Sequence, residues 1–352
     1  MIRVALIGYG YAGRTFHAPL IRATPGLELA AIVSSRPERV RADLPDILVV
    51  ASPGEVCALP SLDLVVIATP NDTHAPIATL ALHAGKHVVI DKPFTLTLDE
   101  ARQVTSLARS AGRVLAVFQS RRWDGDFLAV KALIASGVLG EISHFESHFD
   151  RYRPAVRDRW RERAGPGAGL WFDLGPHLAD QALQLFGLPD HVVASLAAQR
   201  PGADIDDWAH VVLEYPRLRV VLHASVVVAA PSLRFAVHGQ AGSWIKYGVD
   251  AQERQLVAAL TPGEAGSTAS PEHAQLTDGA NGTTSETPIP RGDYAQFYLK
   301  LADALRGEGP NPVPPEQTLR VVAVVETALR AAAEGRALAL PLTDAEIRAF
   351  SG

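Results

Sequence analysis

Over the first 119 residues, short apolar runs alternate with stretches of helical patterning. The runs are Arg3–Ile7, Glu28–Val33, Ile47–Val50, Leu64–Thr69, His87–Ile90 and Val114–Phe118. Runs this short and this continuously apolar fit strands that are buried on both faces. Helical stretches such as Ala75–Ala84 and Leu98–Ala111 lie between them, and Gly85 and Gly112 stand where those helices should stop. Alternation of this kind predicts a doubly wound parallel sheet of six strands.

Beyond residue 120 the pattern changes. Longer runs appear at Ile142–Phe149, Val192–Ala197, Ala209–Tyr215, Val220–Val228, Arg234–His238 and Trp244–Tyr247, with few helices between them. They predict an α+β unit over 120–352 built on an open, mostly antiparallel sheet. Ser267–Ser285, rich in Ser, Thr, Gly, Asn and Asp, is expected to be an exposed loop. Two helices near Tyr294–Arg306 and Glu316–Glu334 should close the unit, and the chain shows no internal repeat.

The first strand runs directly into Gly8, Gly10 and Gly13, spaced G-x-G-x-x-G, with Tyr11 and Ala12 between the last two. Gly8 permits a tight turn out of the strand. Gly10 lets a pyrophosphate approach the backbone, and Gly13 lets the following helix pack close to the strand. The start of that helix offers free N–H groups to an anion. The motif's place, after a strand and before a long βα alternation, makes 1–119 a Rossmann dinucleotide-binding domain.

About twenty residues further on, the end of the second strand is where an NAD site usually carries an acid for the ribose 2′-hydroxyl. This chain has Ser34, Ser35 and Arg36 there, with Arg39 one turn on. Two hydroxyls and a guanidinium suit a 2′-phosphate, so NADP is expected ahead of NAD.

Composition narrows the remaining choices. The chain has 352 residues, 47% hydrophobic and 20% charged, with a net charge of −5 and no run of like charges, so a nucleic-acid surface is not expected. Cys57 is the single cysteine, which excludes an intrachain disulfide and a cysteine-based metal site. The chain enters its first strand at once, leaving no room for a signal peptide, and no apolar run reaches membrane-spanning length. A cytoplasmic protein is expected, without a membrane partner. The histidine spacings form no convincing metal constellation, so no metal is expected.

Two clusters carry candidate chemistry. The fifth strand runs into Asp91-Lys92-Pro93-Phe94. In a parallel sheet, ligands bind beyond the carboxyl ends of the strands, where the Lys92 ammonium can face a developing oxyanion; a surface lysine before a turn proline is the plainer alternative. The second cluster is Trp171–Gly187, where Pro176 suits a first helical turn and Gly187 a stop. Asp173 and His177 stand four apart, on one face of that helix, and a carboxylate near an imidazole orients it and supports its charged form. Here too a capping aspartate and a surface histidine are the plainer reading. Asp180, one turn further, reads as helix surface.

Lys92, Asp173 and His177 behind this nucleotide site resemble the Gfo/Idh/MocA oxidoreductases, the glucose–fructose oxidoreductase and inositol dehydrogenase family. The likeness covers nearly the whole chain, through Gly8–Gly13, Ala68–His74, Asp91–Phe94 and the D-x-x-x-H at Asp173–His177. It implies that Lys92, Asp173 and His177 form the catalytic set. It also implies a homodimer or homotetramer paired through the open sheet face. The family usually has Glu before the lysine; Asp91 is one methylene shorter, which implies altered contacts with function kept. Phe118–Phe127 resembles the branch that includes NADP-dependent scyllo-inositol dehydrogenases, in agreement with Ser34–Arg36.

Within this frame Thr69, Pro70 and Asn71 end a strand beside the cofactor. Trp123 either stacks on substrate or nicotinamide or packs in the core. Tyr152 and Arg153 are placed to hydrogen-bond a polyol, and His74 can cap its helix. The expected activity is hydride transfer between a secondary alcohol of a cyclic polyol or sugar and NADP. The rivals are a redox-neutral glycosidase or epimerase-like enzyme that retains its cofactor, and a non-catalytic dinucleotide sensor.

Overall fold

A computed structural model of the chain describes residues 1–264 and 274–349. The described residues fall into two compact units. One is drawn from residues 1–120, 252–264 and 293–319, the other from residues 121–251, 274–292 and 320–349. The later part of the chain therefore contributes to both units.

The first unit is a six-stranded parallel sheet. Its strands are β1 (Ile2–Ile7), β2 (Leu27–Val33), β3 (Leu48–Val50), β4 (Leu64–Ile67), β5 (His87–Asp91) and β6 (Leu115–Phe118), in the order β3-β2-β1-β4-β5-β6. The helices α1 (Ala18–Ala23), α2 (Pro37–Asp43), α3 (Pro53–Cys57), α4 (His74–His83) and α5 (Leu98–Ser110) connect them. Val4–Ile7, Leu64–Ile67 and Val88–Ile90 are almost wholly buried, as continuous apolar runs in a two-sided parallel sheet must be. The switch in strand order lies between β1 and β4, which in such sheets opens a crevice at the carboxyl edge.

The second unit holds an eight-stranded sheet with α6 (Gly125–Ser136) and α7 (Leu170–Phe186). Its strands are β7 (Ile142–Asp150), β8 (His191–Ala197), β9 (Trp208–Glu214), β10 (Arg219–Ser225), β11 (Leu233–Gly239), β12 (Gly242–Tyr247), β13 (Ala274–Asp278) and β14 (Thr284–Thr287). All neighbours pair antiparallel except β7 with β10. One sheet face is a core: Phe145, Phe149, Val211 and Leu222 pack with Trp171, Leu174 and Leu178 of α7 and with Val324 and Ala328 of the helix Pro315–Glu334. Trp171 is fully buried, and its indole N–H donates to the Val325 carbonyl at 3.1 Å.

Three expectations need correction. The loop anticipated over Ser267–Ser285 lies outside the described residues up to 273, but β13 and β14 form a paired hairpin at the sheet edge. Polar residues mask it because Gln275, Ser285 and Glu286 stand on an edge ribbon that needs no apolar face. α7 begins at Leu170, so Pro176 sits inside the helix and not in its first turn. The start is fixed by Asp206, whose carbonyl and carboxylate accept from the Leu170 and Trp171 amides at 2.9 and 2.7 Å. Asp180 is not helix surface; it is 2% exposed and paired with Arg122.

Candidate active site

In the first unit, the expected nucleotide-binding residues gather at the carboxyl edge of the parallel sheet. Gly8 has φ +100°, and a Cβ there would lie 2.3 Å from the Ala68 carbonyl oxygen. A Cβ on Gly13 would lie 2.1 Å from the Gly8 oxygen. Gly10 has no neighbouring atom within 4 Å of a Cβ position and is exposed. Two glycines thus serve close packing while the middle one leaves open space, the arrangement a pyrophosphate needs. The chain then passes Tyr11 and Ala12 into a wide π turn, Gly13–His17, before α1.

Ser34, Ser35 and Arg36 follow β2 at the same edge. Ser35 and Arg36 are exposed, the Arg36 amide donates to Ser34 Oγ at 3.1 Å, and Arg36 makes no ion pair among the described residues. Beside them lies an open groove of about 730 Å³ lined by Tyr11, Arg14, Arg22 and Arg39 on one side and Leu256–Pro262 on the other. Arg14 is committed to Asp43, at 2.6 and 3.0 Å. That ion pair, hydrogen-bonded and charge-assisted, holds the Asp43 carboxyl below its ordinary range. The Tyr9 hydroxyl also reaches Asp43, at 3.2 Å, and burial together with that carboxylate pushes it up to about 12. Two serine hydroxyls and the exposed Arg36 guanidinium, with no acid among Ser34–Arg36, fit a dinucleotide that carries an additional phosphate.

Thr69, Pro70 and Asn71 follow β4. The Thr69 and Thr73 hydroxyls lie 2.6 Å apart, and Asn71 is buried. His74 does not cap α4, as the sequence suggested it could; it is the first residue of the helix, and its ring reaches outside it. Its Nδ1 lies 2.8 Å from the Pro93 carbonyl oxygen and its Nε2 lies 3.1 Å from that of Thr69. Burial lowers its pKa, against the two carbonyl contacts that favour the charged ring. His74 thus lies between the Thr69–Asn71 turn and the loop that carries Lys92.

Lys92 itself is half-buried, and its peptide bond to Pro93 is cis. The Lys92 amide donates to Asp91 Oδ1 at 2.8 Å. Asp91 Oδ2 faces His17 Nε2 at 3.7 Å, and His17 Nδ1 meets the Tyr298 hydroxyl at 2.7 Å. Burial alone would raise the Asp91 carboxyl, but His17 and Lys92 outweigh it and hold it below the ordinary range. An ionised Asp91 beneath Lys92 fixes the turn and keeps the ammonium's field balanced.

In the second unit, Asp173 and His177 stand one turn apart on α7, and the His177 ring lies 6.2 Å from that of Phe149. Asp173 sits between two guanidinium groups, Arg151 at 3.6 Å and Arg161 at 3.7 Å. The cavity that these residues line with Arg153, Arg200 and Asp206 measures about 20 Å³. That is room for a water molecule, and the two arginines flanking Asp173 hold its carboxylate in place. These contacts leave no trace in residue spacing, because Arg151 and Arg161 reach Asp173 from a segment without regular pattern. Tyr152 is 62% exposed and pairs through its backbone with Val227, and Trp123 is half-buried in the turn Ser120–Trp123.

Residues 2–119 match the Gfo/Idh/MocA oxidoreductase domain described as an NAD-binding Rossmann fold, and residues 131–340 match its C-terminal alpha/beta domain. The chain belongs to the Gfo/Idh/MocA oxidoreductase family. This oxidoreductase is 51% identical over 341 residues to the uncharacterized oxidoreductase YdgJ of Escherichia coli (strain K12), covering 96% of this chain and 99% of that one. It is 37% identical over 343 residues to scyllo-inositol 2-dehydrogenase (NADP(+)) IolW of Bacillus subtilis (strain 168), covering 96% of each. A crystal structure of a Klebsiella pneumoniae protein superposes with a TM-score of 0.93 at 50% identity, over 99% of this chain and 98% of that one. The family places an NAD(P)-binding Rossmann domain in an enzyme of oxidation and reduction, as the glycine loop implies. No helix among the described residues is long and apolar enough to cross a membrane.

Proposed function

We propose that this oxidoreductase transfers hydride between a secondary alcohol of a cyclic polyol or sugar and NADP(H), acting in the cytoplasm as a homodimer or homotetramer. The observation that carries the reading is the residue set itself. Lys92 stands at the carboxyl end of β5, and Asp173 and His177 stand one turn apart on α7. A dinucleotide-binding protein without chemistry needs none of the three. The inositol dehydrogenase named among the relatives, and its NADP, support the substrate and cofactor classes.

When bound, the nicotinamide accepts or supplies the hydride, and the protein's share is positioning and electrostatics. Gly8, Gly10, Tyr11, Ala12 and Gly13 would hold the pyrophosphate. Ser34, Ser35 and Arg36 would hold the 2′-phosphate, with Thr69, Pro70 and Asn71 lining the adjoining strand end. His177 takes the hydroxyl proton from the alcohol during oxidation, or returns it during reduction. The Lys92 ammonium stabilises the oxyanion that develops as that proton leaves. Asp173, held between Arg151 and Arg161, orients the substrate and supports the charged form of His177. Trp123 and Tyr152 contribute a flat face and a hydroxyl to polyol recognition.

Inositols, linear polyols and aldoses, screened with NADP⁺ and NAD⁺ while following absorbance of the reduced cofactor, test the reading. We expect turnover with at least one cyclic polyol or sugar, and faster with NADP⁺. Tightly held cofactor with no net reduction of added NADP⁺ by any of them would overturn it in favour of redox-neutral chemistry.

A further inference from the structure

The face of the eight-stranded sheet opposite α7 carries an unusual row of side chains. Phe145, Ser147 and Phe149 of β7 point into the core, so His144, Glu146, His148 and Asp150 share the other face. The strand register continues the row sideways: His148 pairs with His223 of β10, and His223 pairs with His210 of β9. Three imidazoles thus lie abreast on neighbouring strands, with carboxylates above and below.

Among the described residues, His148, Asp150 and His223 are the one group of three His, Cys, Asp or Glu side chains whose ligand atoms all lie within 4.8 Å of one another. Asp150 Oδ2 lies 3.6 Å from His148 Nδ1, and Asp150 Oδ1 lies 3.5 Å from His223 Nε2. Ligands around a tetrahedral ion with bonds of about 2.0–2.2 Å stand roughly 3.3–3.6 Å apart. The Asp150 side chain is only 6% exposed, and its Oδ1 has no hydrogen-bond partner. A buried carboxylate oxygen without a donor is costly unless a cation meets it.

The outer contacts aim the same atoms inward. Glu146 Oε2 accepts from His148 Nε2 at 2.7 Å, which leaves the Nδ1 lone pair facing Asp150. Glu146 Oε1 is occupied by His144 Nε2 at 2.8 Å. His223 Nδ1 lies 3.4 Å from His210 Nδ1, which leaves Nε2 facing Asp150. A carboxylate behind a ligating imidazole is the usual support of a metal site.

We propose that His148, Asp150 and His223 bind a divalent transition-metal ion, zinc foremost, across β7 and β10 on the sheet face remote from Asp173 and His177. Two imidazoles and one carboxylate suit zinc and leave a coordination position to water. The ion would cross-link the one parallel strand pair of this sheet. It is separate from the hydride chemistry, so neither proposal depends on the other. Sequence spacing hid the site because the third ligand comes from a strand some seventy residues beyond the H-x-D of β7.

The test uses the full chain, free of any affinity tag and stripped with a chelator. Zinc titrated calorimetrically should bind at one ion per chain, and cobalt should give the visible absorption of a low-symmetry nitrogen and oxygen site. Zinc should raise the melting temperature of the wild type. His223→Gln should lose all three signals, and Glu146→Gln should bind about 10–100-fold more weakly. His238→Gln, on the same strand face but bonded to Ser243, should bind as the wild type does. Less than one ion per wild-type chain, or unchanged zinc affinity in His223→Gln, would overturn the proposal.

Discussion

Arg122 clamps Asp180 through two parallel hydrogen bonds, Nε to Oδ2 at 2.8 Å and Nη2 to Oδ1 at 2.6 Å, with both side chains under a tenth exposed. The fork geometry satisfies a carboxylate that α7 carries into the protein interior. Removing Arg122 leaves the Asp180 carboxylate buried without its guanidinium. Arg122→Ala should therefore lower stability by about 3–5 kcal/mol, read from urea unfolding. The double variant Arg122→Met with Asp180→Leu should recover most of that loss, because no uncompensated charge remains. A single-variant cost below about 1 kcal/mol, typical of an exposed pair, would contradict this account.

The glycine loop separates folding from binding. An alanine at Gly10 meets no atom within 4 Å, whereas one at Gly8 meets the Ala68 carbonyl at 2.3 Å with φ at +100°. Gly10→Ala should unfold at nearly the wild-type urea concentration yet bind NADP(H) at least about tenfold more weakly, since the methyl occupies the pyrophosphate's approach. Gly8→Ala should be destabilised outright. Equal loss of stability in both variants would show that the open space at Gly10 is structural.

Arg36 should decide the cofactor. A charge-assisted contact to a 2′-phosphate is worth roughly 1.5–3 kcal/mol, about a tenfold to hundredfold change in affinity. Arg36→Ala should lose that much for NADP(H) and little for NAD(H), by fluorescence titration of the reduced cofactors. Wild-type protein binding both equally well would refute the NADP preference.

The Arg200 network predicts acid lability. Arg200 Nε lies 2.9 Å from Asp207 and its Nη2 lies 3.0 Å from Glu162, with all three side chains under a tenth exposed. Burial would raise the Asp207 carboxyl, but the Gln199 and Arg200 amides and the Arg200 guanidinium hold it below the ordinary range. Glu162 is held low in the same way by the Arg157 amide and Arg159. A depressed folded-state value gives stability that is present above the unfolded value, about 4, and lost as pH falls through the folded one. Urea midpoints should thus drop steeply below about pH 4, and Asp207→Asn should start lower and drop less.

The strands were legible because burial on both faces, or on one, leaves a direct trace in residue type. All six parallel strands, and six of the eight in the second sheet, fall within a few residues of the apolar runs. The polar hairpin β13–β14 left no such trace. The start of α7 was set by Asp206, which lies far along the chain and caps the helix through space. Asp180 read as surface because its partner Arg122 is fifty-eight residues away. The same limit applied to the Arg151 and Arg161 contacts with Asp173. Period and local propensity reveal elements; ion pairs and caps between distant segments appear only once the chain is folded.

His177 offers the sharpest division between chemistry and binding. The glycine loop and the turns after β2 and β4 belong to the first unit, and His177 belongs to the second. His177→Ala should therefore keep its melting temperature near that of the wild type and keep its NADP(H) affinity. Turnover should fall by roughly 10²–10⁴, the usual worth of a positioned general base. In the oxidation direction the wild-type rate should rise with pH through an apparent ionisation, because the neutral imidazole is the form that accepts a proton, and the variant should lack that rise. Lys92→Ala should also lose turnover, and Lys92→Arg should rescue it poorly, since a planar fork cannot take the place of a compact ammonium. Should His177→Ala oxidise the best polyol at the wild-type rate, the base is another group, and Lys92 becomes the next residue to test by the same pH profile.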